Sequence, residues 1–322
     1  MWRPAIRDTE ATLMPRDPDR LARSLLLEAE LFRILGALDA RGIPAIVLKG
    51  IPLALRLFGR IDGRDSFDND VLVRRRDARE ACLAMAGVGY RSIDDRTIDR
   101  QLDVDFQYRM ARPVGAAGQV SAELHWSAFP TDLYPVEEEI LWAHSEPFDI
   151  GSRWVRVFDR PLALVHLAAH FAQHLFAVRS ILDDVAVAWN RWGATIDHED
   201  LVALARAAEL TAVLAFALGA AADLGMLAVP PPKLRSPRAA RLRRLLPAER
   251  LFTPRPEVDH VRMLLALLLA SPRRIPRWAR NLLFPPIESL SVIVGRPVSP
   301  ALYLRYFTRP LRPIARMLGK SV

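Results

Sequence analysis

The ten residues from 64 to 73, RDSFDNDVLV, carry the strongest structural signal in the chain. Their apolar end predicts a strand over residues 69–74, and side chains alternate between the two sides of a strand. Asp68 and Asp70, which are separated by one residue, therefore lie on the same side. Adjacent carboxylates repel each other, a bound cation removes that repulsion, and carboxylate oxygens suit magnesium. A solvated edge strand can carry the same pair, so the pair alone does not establish a metal site.

The segment before this strand predicts a buried strand that turns into a helix. Residues 43–48 are almost entirely apolar, and Lys49 and Gly50 follow them before a helix that continues to about Phe58. Glycine lets a backbone approach a ligand closely, and the first amides of a helix attract phosphate. Lysine occurs at only three positions, against 42 arginines, so Lys49 departs from the chain's usual choice of basic residue. The alternative is that the glycine serves the turn alone.

A third group of polar side chains lies further along, in the alternating segment 120–126. Glu123 and His125 share one side of this predicted strand, while apolar residues occupy the other, which is typical of a strand between a core and a cleft. An ordinary half-exposed strand has the same alternation. Asp105, in a strand predicted over residues 103–110, is an alternative source of a third acid.

Three segments together resemble a known family. They are Leu48-Lys49-Gly50, residues 64–73 and Glu123-Leu124-His125-Trp126. In this order they resemble the uncharacterised nucleotidyltransferase family of the DNA polymerase beta-like nucleotidyltransferase superfamily. Asn69 stands where the family prefers an apolar residue, and Lys-Gly replaces the Gly-Ser of the wider superfamily. Towards the end of the chain, the resemblance extends to Pro285, Tyr303-Leu304 and Arg309-Pro310.

The resemblance implies transfer of a nucleoside monophosphate group from a nucleoside triphosphate (NTP), such as ATP, to an acceptor, by a two-metal mechanism with Mg²⁺ or Mn²⁺. The implied catalytic acids and metal ligands are Asp68, Asp70 and Glu123. The residues implied to border the donor are Lys49, Gly50, Arg64, His125, His170, His174 and Asp184. His125 would orient Glu123 or touch the acceptor. A peptide, a small molecule, a protein and an RNA end are all compatible acceptors.

Three histidines recur at intervals of four residues in the helical half of the chain, at His166, His170 and His174. This spacing places them on one face of a helix. His170, His174 and Asp184 match a helical region of the family, which implies that they border the cleft. Helix packing and a zinc site are the alternatives. A zinc-protease helix would also carry a glutamate within the motif, and this sequence has none there.

The order of the predicted elements indicates an α+β protein. Strands and helices alternate over the first 130 residues, beginning with a helix over residues 21–41, and helical periodicity dominates afterwards. The later helices are predicted over residues 161–192, 199–227 and 258–269. We expect an N-terminal arm (1–20), a nucleotidyltransferase core of mixed β-sheet flanked by helices (21–135), and a mainly α-helical C-terminal domain with a basic, proline-rich and arginine-rich tail (136–322).

Composition and charge narrow the function classes. Of the 322 residues, 51% are hydrophobic and 25% charged, which excludes a largely disordered chain. The single cysteine, Cys82, excludes a disulfide framework and fits a reducing compartment. The N-terminus lacks the apolar core of an export signal, and Asp223 interrupts the apolar stretch 210–229, so we expect a cytoplasmic transferase without a membrane span. The net charge of +8 leaves two alternatives, a basic RNA-binding protein and a catalytically silent nucleotide-binding scaffold.

Overall fold

The computed structural model describes residues 17–93, 97–115, 118–129, 133–134, 136–252, 256–276, 279–280, 284, 287, 290, 299 and 301–303. The strands of these residues are β1 (Ile46–Val47), β2 (Asp68–Leu72), β3 (Arg91–Ser92), β4 (Gln107–Pro113), β5 (Gln119–His125), β6 (Ser145–Asp149) and β7 (Trp154–Phe158). They form one mixed sheet in the order β3-β4-β5-β2-β1-β7-β6. The neighbours β2 and β5 are parallel, as are β1 and β7, and the other pairs are antiparallel.

Helices flank the sheet and make up most of the later part of the chain. They are α1 (Pro18–Asp39), α2 (Ile51–Phe58), α3 (Ala78–Gly87), α4 (Ile98–Val104), α5 (Glu138–Ala143), α6 (Arg160–Gln173), α7 (Arg179–Trp192), α8 (His198–Ala207), α9 (Thr211–Asp223), α10 (Pro237–Leu245), α11 (Ala248–Leu251) and α12 (Pro256–Leu269). The protein therefore has the α+β fold that the sequence predicts.

Capping side chains explain where two of the important helices begin. The carboxylate of Asp17 accepts hydrogen bonds from two amides of the first turn of α1, and Pro18 follows it at the first helical position. The Asp159 carboxylate caps α6 in the same way by accepting a hydrogen bond of 2.8 Å from the Leu162 amide. This cap fixes the start of the helix that carries His166 and His170 and ends just before His174.

The two faces of the sheet bury different cores. Val71 of β2 and Leu124 of β5 pack with α1 and α3 on one face. Ile46 of β1 and Leu72 of β2 pack with α6, α7 and α9 on the other face. Because neighbouring residues of a strand point to opposite faces, the residues beside Val71 and Leu124 in sequence face α6.

The strands predicted over 69–74 and 120–126 are confirmed as β2 and β5, and the helix predicted over 21–41 is confirmed as α1. The strand predicted over 103–110 is wrong in its first part. Residues 103 and 104 end α4, which begins after Thr97, whose side chain accepts a hydrogen bond from the Arg100 amide. The cap favours a helix there, and the strand begins only at Gln107.

Two strands lie in the segment 136–322, where the sequence predicts mainly helices. Strand β7 pairs with β1 and strand β6 pairs with β7, so the sheet continues to Phe158, beyond residue 135. The helix predicted over 161–192 is two helices, because Leu175 and Phe176 adopt left-handed backbone conformations between them. The division of the chain into domains stays a prediction.

Some predicted features lie outside the described residues. These are residues 1–16 of the N-terminal arm and, at the other end, Pro285, Leu304, Arg309 and Pro310. Residues 18–20 of the predicted arm belong to α1. Within the described ranges, no helix is both long enough and apolar enough to cross a membrane.

Candidate active site

Four polar side chains lie together on the sheet face that packs against α6. In the parallel pair of β2 and β5, Asp70 lies beside Glu123, and His125 lies beside Leu72, two positions further along both strands. Asp68 and Asp70 share the face of Leu72, because residues two apart in a strand point the same way. Glu123 and His125 flank Leu124, whose side chain is buried in the core on the opposite face. Both pairs therefore face α6.

The oxygen and nitrogen atoms of this group that could bind a metal ion lie close together. Nε2 of His125 lies 3.2 Å from Oδ1 of Asp70 and 3.5 Å from Oε2 of Glu123. One ligand atom from each of these three residues lies within 4.8 Å of the other two. Carboxylate oxygens and an imidazole nitrogen are common ligands of divalent metals, so the cluster can hold a cation.

Lys49 supplies a positive charge to the carboxylates of β2. Its Nζ atom lies 3.2 Å from Oδ2 of Asp70 and 3.5 Å from Oδ1 of Asp68. The pairing of β1 with β2 explains this placement, since the Leu48 amide donates a hydrogen bond of 3.1 Å to the Asp70 carbonyl. Gly50 then adopts φ 76° and ψ −134°, a conformation that side-chain-bearing residues rarely take, and turns the chain into α2.

The cluster shifts the pKa values of its members in different directions. Burial and the charge of Asp70 raise the pKa of Asp68 to about 6. Burial alone would raise the pKa of Asp70, but Lys49 and His125 outweigh it and hold that pKa well below its usual range. Burial would lower the pKa of His125, yet its contacts with Asp70 and Glu123 raise it to about 9. Carboxylates and cationic side chains therefore lie together in a largely buried site, and shifted pKa values of this kind are common at functional sites.

Helix α6 forms the wall opposite the carboxylates and presents its histidines as a row. The ring centroids of His166 and His170 are 6.2 Å apart, and those of His170 and His174 are 4.6 Å apart. Burial lowers the pKa of His166 to about 3 and also lowers the pKa values of His170 and His174. These imidazoles are therefore neutral at pH 7.

A cavity of about 200 Å³ separates the sheet from α6. Its described lining residues are Leu48, Lys49, Asp68, Asp70, Gln107, Glu123, His125, Ala128, His166, His170, Gln173 and His174. The carboxylates, the lysine and the α6 histidines, which come from distant parts of the chain, thus border one space. The sequence did not single out Gln107 or Gln173 as site residues. Gln107 lies beside His125 in the β4–β5 pair, and Gln173 precedes His174, so they have no motif of their own.

Arg64 and Asp184 form a buried ion pair between the segment before β2 and helix α7. The Nε and Nη2 atoms of Arg64 lie 3.2 Å and 2.9 Å from Oδ2 of Asp184, and Nη1 donates to Ser66 Oγ at 2.9 Å. Asp184 outweighs the effect of burial and raises the pKa of Arg64. Neither residue is among the described residues that line the cavity. The predicted contact of Arg64 and Asp184 with the donor stays a prediction, and the structure places them against each other.

Two further expectations concern Asp105 and Asn69. Asp105 accepts hydrogen bonds from Gln101 Nε2, at 2.7 Å, and from the Phe106 amide, at 2.8 Å. It is not one of the described residues that line the cavity. Of the two candidate acids, Glu123 is the one that lines the cavity with Asp68 and Asp70, and its role as the third catalytic acid stays a prediction. Asn69, the residue that departs from the family pattern, is buried. Its side-chain amide donates a hydrogen bond of 3.0 Å to the Leu27 carbonyl of α1, so this polar group has a partner.

Comparison with known proteins identifies the family. No curated protein matches the sequence. The chain is similar to a solved structure, the crystal structure of ANT(2")-Ia in complex with adenylyl-2"-tobramycin, with 17% identity and a TM-score of 0.37 over 56% of this chain and 94% of that chain. A family model described as uncharacterised nucleotidyltransferase matches residues 17–225, which include β1, β2, β5 and α6. The chain therefore belongs to the uncharacterised nucleotidyltransferase family.

Proposed function

We propose that this protein is a metal-dependent nucleotidyltransferase that moves a nucleoside monophosphate group from an NTP to an acceptor. One observation carries the proposal: Asp68, Asp70 and Glu123 converge on a cavity that also holds Lys49, in a member of a nucleotidyltransferase family. The acids suit divalent cations, and the lysine suits a triphosphate.

The donor atoms of the acids fit divalent ions. Oδ2 of Asp70 is buried and has no aligned hydrogen-bond donor among the described residues, although Lys49 Nζ lies nearby. Asp68 and Glu123 are partly exposed towards the cavity. These three residues would hold Mg²⁺ or Mn²⁺, which when bound supply the charge that activates an acceptor hydroxyl and stabilises the departing pyrophosphate.

The proposed reaction exchanges one phosphorus–oxygen bond for another. An acceptor oxygen forms a bond to the α-phosphorus while the bond from that phosphorus to the bridging oxygen of the β-phosphate breaks. Pyrophosphate leaves with the electron pair, and the acceptor proton passes to a base. His170 and His174 line the cavity and are neutral at pH 7, so an imidazole is available there as this base, and the predicted contact of the two residues with the donor stays a prediction.

Lys49 and Gly50 would hold the triphosphate. In the described state, the Lys49 ammonium rests on Asp68 and Asp70, and a divalent ion on these acids would compete with it. The four-carbon stem of lysine lets the ammonium turn from the acids to the phosphates. Gly50 leaves the start of α2 open for close approach of the donor.

Arg64 and Asp184 would act as positioning residues. Their ion pair joins the segment just before Asp68 to helix α7, so it fixes the start of β2 relative to the helix that packs against α6. All three nitrogens of the Arg64 guanidinium have partners within the protein. We therefore assign Arg64 to the support of the site.

Calorimetry of NTP binding tests this function. Each of the four common NTPs is titrated into wild-type protein and into the double variant Asp68→Asn/Asp70→Asn, with and without Mg²⁺. We expect Mg²⁺ to strengthen binding of at least one NTP to wild type at least about tenfold, or 1.4 kcal/mol, and to have no such effect in the double variant. The control is Asp200→Asn, which neutralises an exposed acid on α8 and should keep the Mg²⁺ effect.

The same titrations separate the alternatives. A silent scaffold that holds the triphosphate through Lys49 alone would bind NTPs equally well with and without Mg²⁺. A basic RNA-binding protein would bind RNA in a salt-dependent manner and would not bind NTPs with a requirement for Mg²⁺. Either result would contradict the proposed function.

A further inference from the structure

His125 occupies the position of a metal ligand within the carboxylate cluster. It lies on β5 two residues after Glu123, so both side chains project from the same face. Its Nε2 atom faces two carboxylates at once, Oδ1 of Asp70 at 3.2 Å and Oε2 of Glu123 at 3.5 Å. Among the described residues, these three are the group whose donor atoms are close enough to share one ion.

The two separations measured from Nε2 of His125 fit ligands around one ion. Ligand atoms that bind a divalent ion at about 2.0–2.2 Å lie about 2.8–3.6 Å apart for angles of about 90–109°. Both separations measured from Nε2 fall within this range. A charge-assisted hydrogen bond between imidazole and carboxylate is shorter, at about 2.7–2.9 Å.

The two oxygens of Asp70 define two separate positions in the cluster. Oδ2 faces the Lys49 ammonium. Together with the Asp68 carboxylate, it forms an outer ion position that has only oxygen ligands. Oδ1 faces His125 and, with Glu123, belongs to an inner position. The side chains of Asp68 and Glu123 are 28% and 21% exposed, whereas those of Asp70 and His125 are 1% and 6% exposed, so two of the three ligands of the inner position are buried.

Building on the nucleotidyltransferase function proposed above, we propose that Nε2 of His125 is a direct ligand of a divalent metal ion at the inner position. The donor set there is then one imidazole nitrogen and two carboxylates, from His125, Asp70 and Glu123. Imidazole favours first-row transition metals, whereas Mg²⁺ prefers oxygen ligands and water. The inner position therefore favours a first-row transition metal over Mg²⁺, and Mn²⁺, which is paramagnetic, serves as the probe of this position.

Pulsed electron paramagnetic resonance of bound Mn²⁺ tests the nitrogen ligand without measuring activity. The probe is Mn²⁺ with inorganic triphosphate, which contains no nitrogen. We expect the spin echo of wild-type protein to show modulation from a directly bound ¹⁴N nucleus. Growth with [¹⁵N]histidine should replace it with ¹⁵N modulation, and this result requires no variant.

His125→Gln assigns the nitrogen to one residue, because glutamine keeps a donor towards Asp70 and removes the imidazole. We expect this variant to lose the ¹⁴N modulation. Its preference for Mn²⁺ over Mg²⁺ should fall at least about tenfold, which is the smallest loss of metal affinity that is typical when residues around a metal site are replaced. The preference is measured by adding Mg²⁺ to the Mn²⁺-bound protein and following the free Mn²⁺ that is released. The matched control is His174→Gln, which removes an exposed imidazole from the same cavity and should retain both the modulation and the preference.

Each outcome decides the proposal. Absence of ¹⁴N modulation in wild type, or its persistence in a folded His125→Gln protein, would overturn the His125 ligand. If Mn²⁺ still binds without ¹⁴N modulation, and Asp68→Asn/Asp70→Asn abolishes that binding, then the histidine ligand fails while the carboxylate site of the proposed function survives. If wild-type protein binds neither Mn²⁺ nor Mg²⁺, both fail together.

Discussion

At the scale of single residues, Asp70 organises the candidate site. It is the most buried acid of the cluster, and its two oxygens face different cationic groups, Lys49 and His125. A buried carboxylate without such partners would take up a proton, because burial disfavours the charged form. The partners therefore keep Asp70 ionised, which is the form that the proposed metal site requires.

His166 provides a prediction about pH. Its ring packs edge-on against Phe129 and Phe158, with centroid distances of 5.4 and 5.5 Å, and burial lowers its pKa from an ordinary value of 6.5 to about 3. The unfolded chain binds a proton at this residue below about pH 6.5, while the folded protein does not. The stability contribution is therefore fully present above pH 6.5 and is lost as the pH falls towards 3.

Replacement of this imidazole should make the protein less sensitive to acid. We expect His166→Phe to reduce the loss of unfolding free energy between pH 7 and pH 5 by about 2 kcal/mol, since a phenyl ring has no proton to bind. Urea unfolding at the two pH values measures the difference. An equal loss in wild type and variant would show that His166 carries a normal pKa and is not buried as described.

At the scale of elements, the ion pair of Arg64 and Asp184 connects the segment before β2 to α7. The two side chains are only 14% and 9% exposed, and Ser66 accepts a further hydrogen bond from the guanidinium. Removing one member of a buried pair leaves the other charge without compensation, which commonly costs about 3–5 kcal/mol. The neighbouring acid, Asp183, pairs with Arg179 on the exposed surface of α7 and offers a comparison.

Two adjacent substitutions should therefore have very different effects. We expect Asp184→Asn to lower the unfolding free energy by about 3 kcal/mol, and Asp183→Asn to change it by less than about 1 kcal/mol. Urea unfolding of the two variants measures both values. In the double variant Arg64→Gln/Asp184→Asn, part of the loss should be recovered, because no uncompensated charge remains. Similar effects of the two single variants would contradict a buried pair.

The elements that the sequence predicted well are those whose pattern is local. Strand β5 alternates strictly between polar and apolar residues, and α1 has a helical apolar period and a glycine just beyond its end. Strands β6 and β7 escaped prediction because β7 is held by pairing with β1, about a hundred residues away, and not by a strong local signal. Helix α4 was not predicted, because the Thr97 cap favours a helix there and outweighs the alternation of polar and apolar residues that follows.

At the scale of the whole molecule, the candidate site lies between the sheet and helix α6. Strands β2 and β5 contribute the acids and His125, and α6, from the helical part of the chain, contributes the opposite wall. The sequence could single out Asp68, Asp70 and Glu123, which the structure brings to one cavity, because their spacing and the family resemblance are local features; their chemical roles stay a prediction. It could not predict that His166 and Gln173 face Asp70 across a cavity, since that depends on how α6 packs against the sheet.

Transfer of label from NTPs tests the central claim most directly. Wild-type protein and Asp68→Asn/Asp70→Asn are incubated with Mg²⁺ or Mn²⁺, with [α-³²P]NTP or [γ-³²P]NTP, and with small-molecule, peptide, protein and RNA fractions as acceptors. We expect wild type to attach only the α label to an acceptor and to release the γ label as pyrophosphate, and the variant to do neither. Attachment of the γ label, or no attachment of the α label in any fraction, would contradict nucleotidyl transfer by this site.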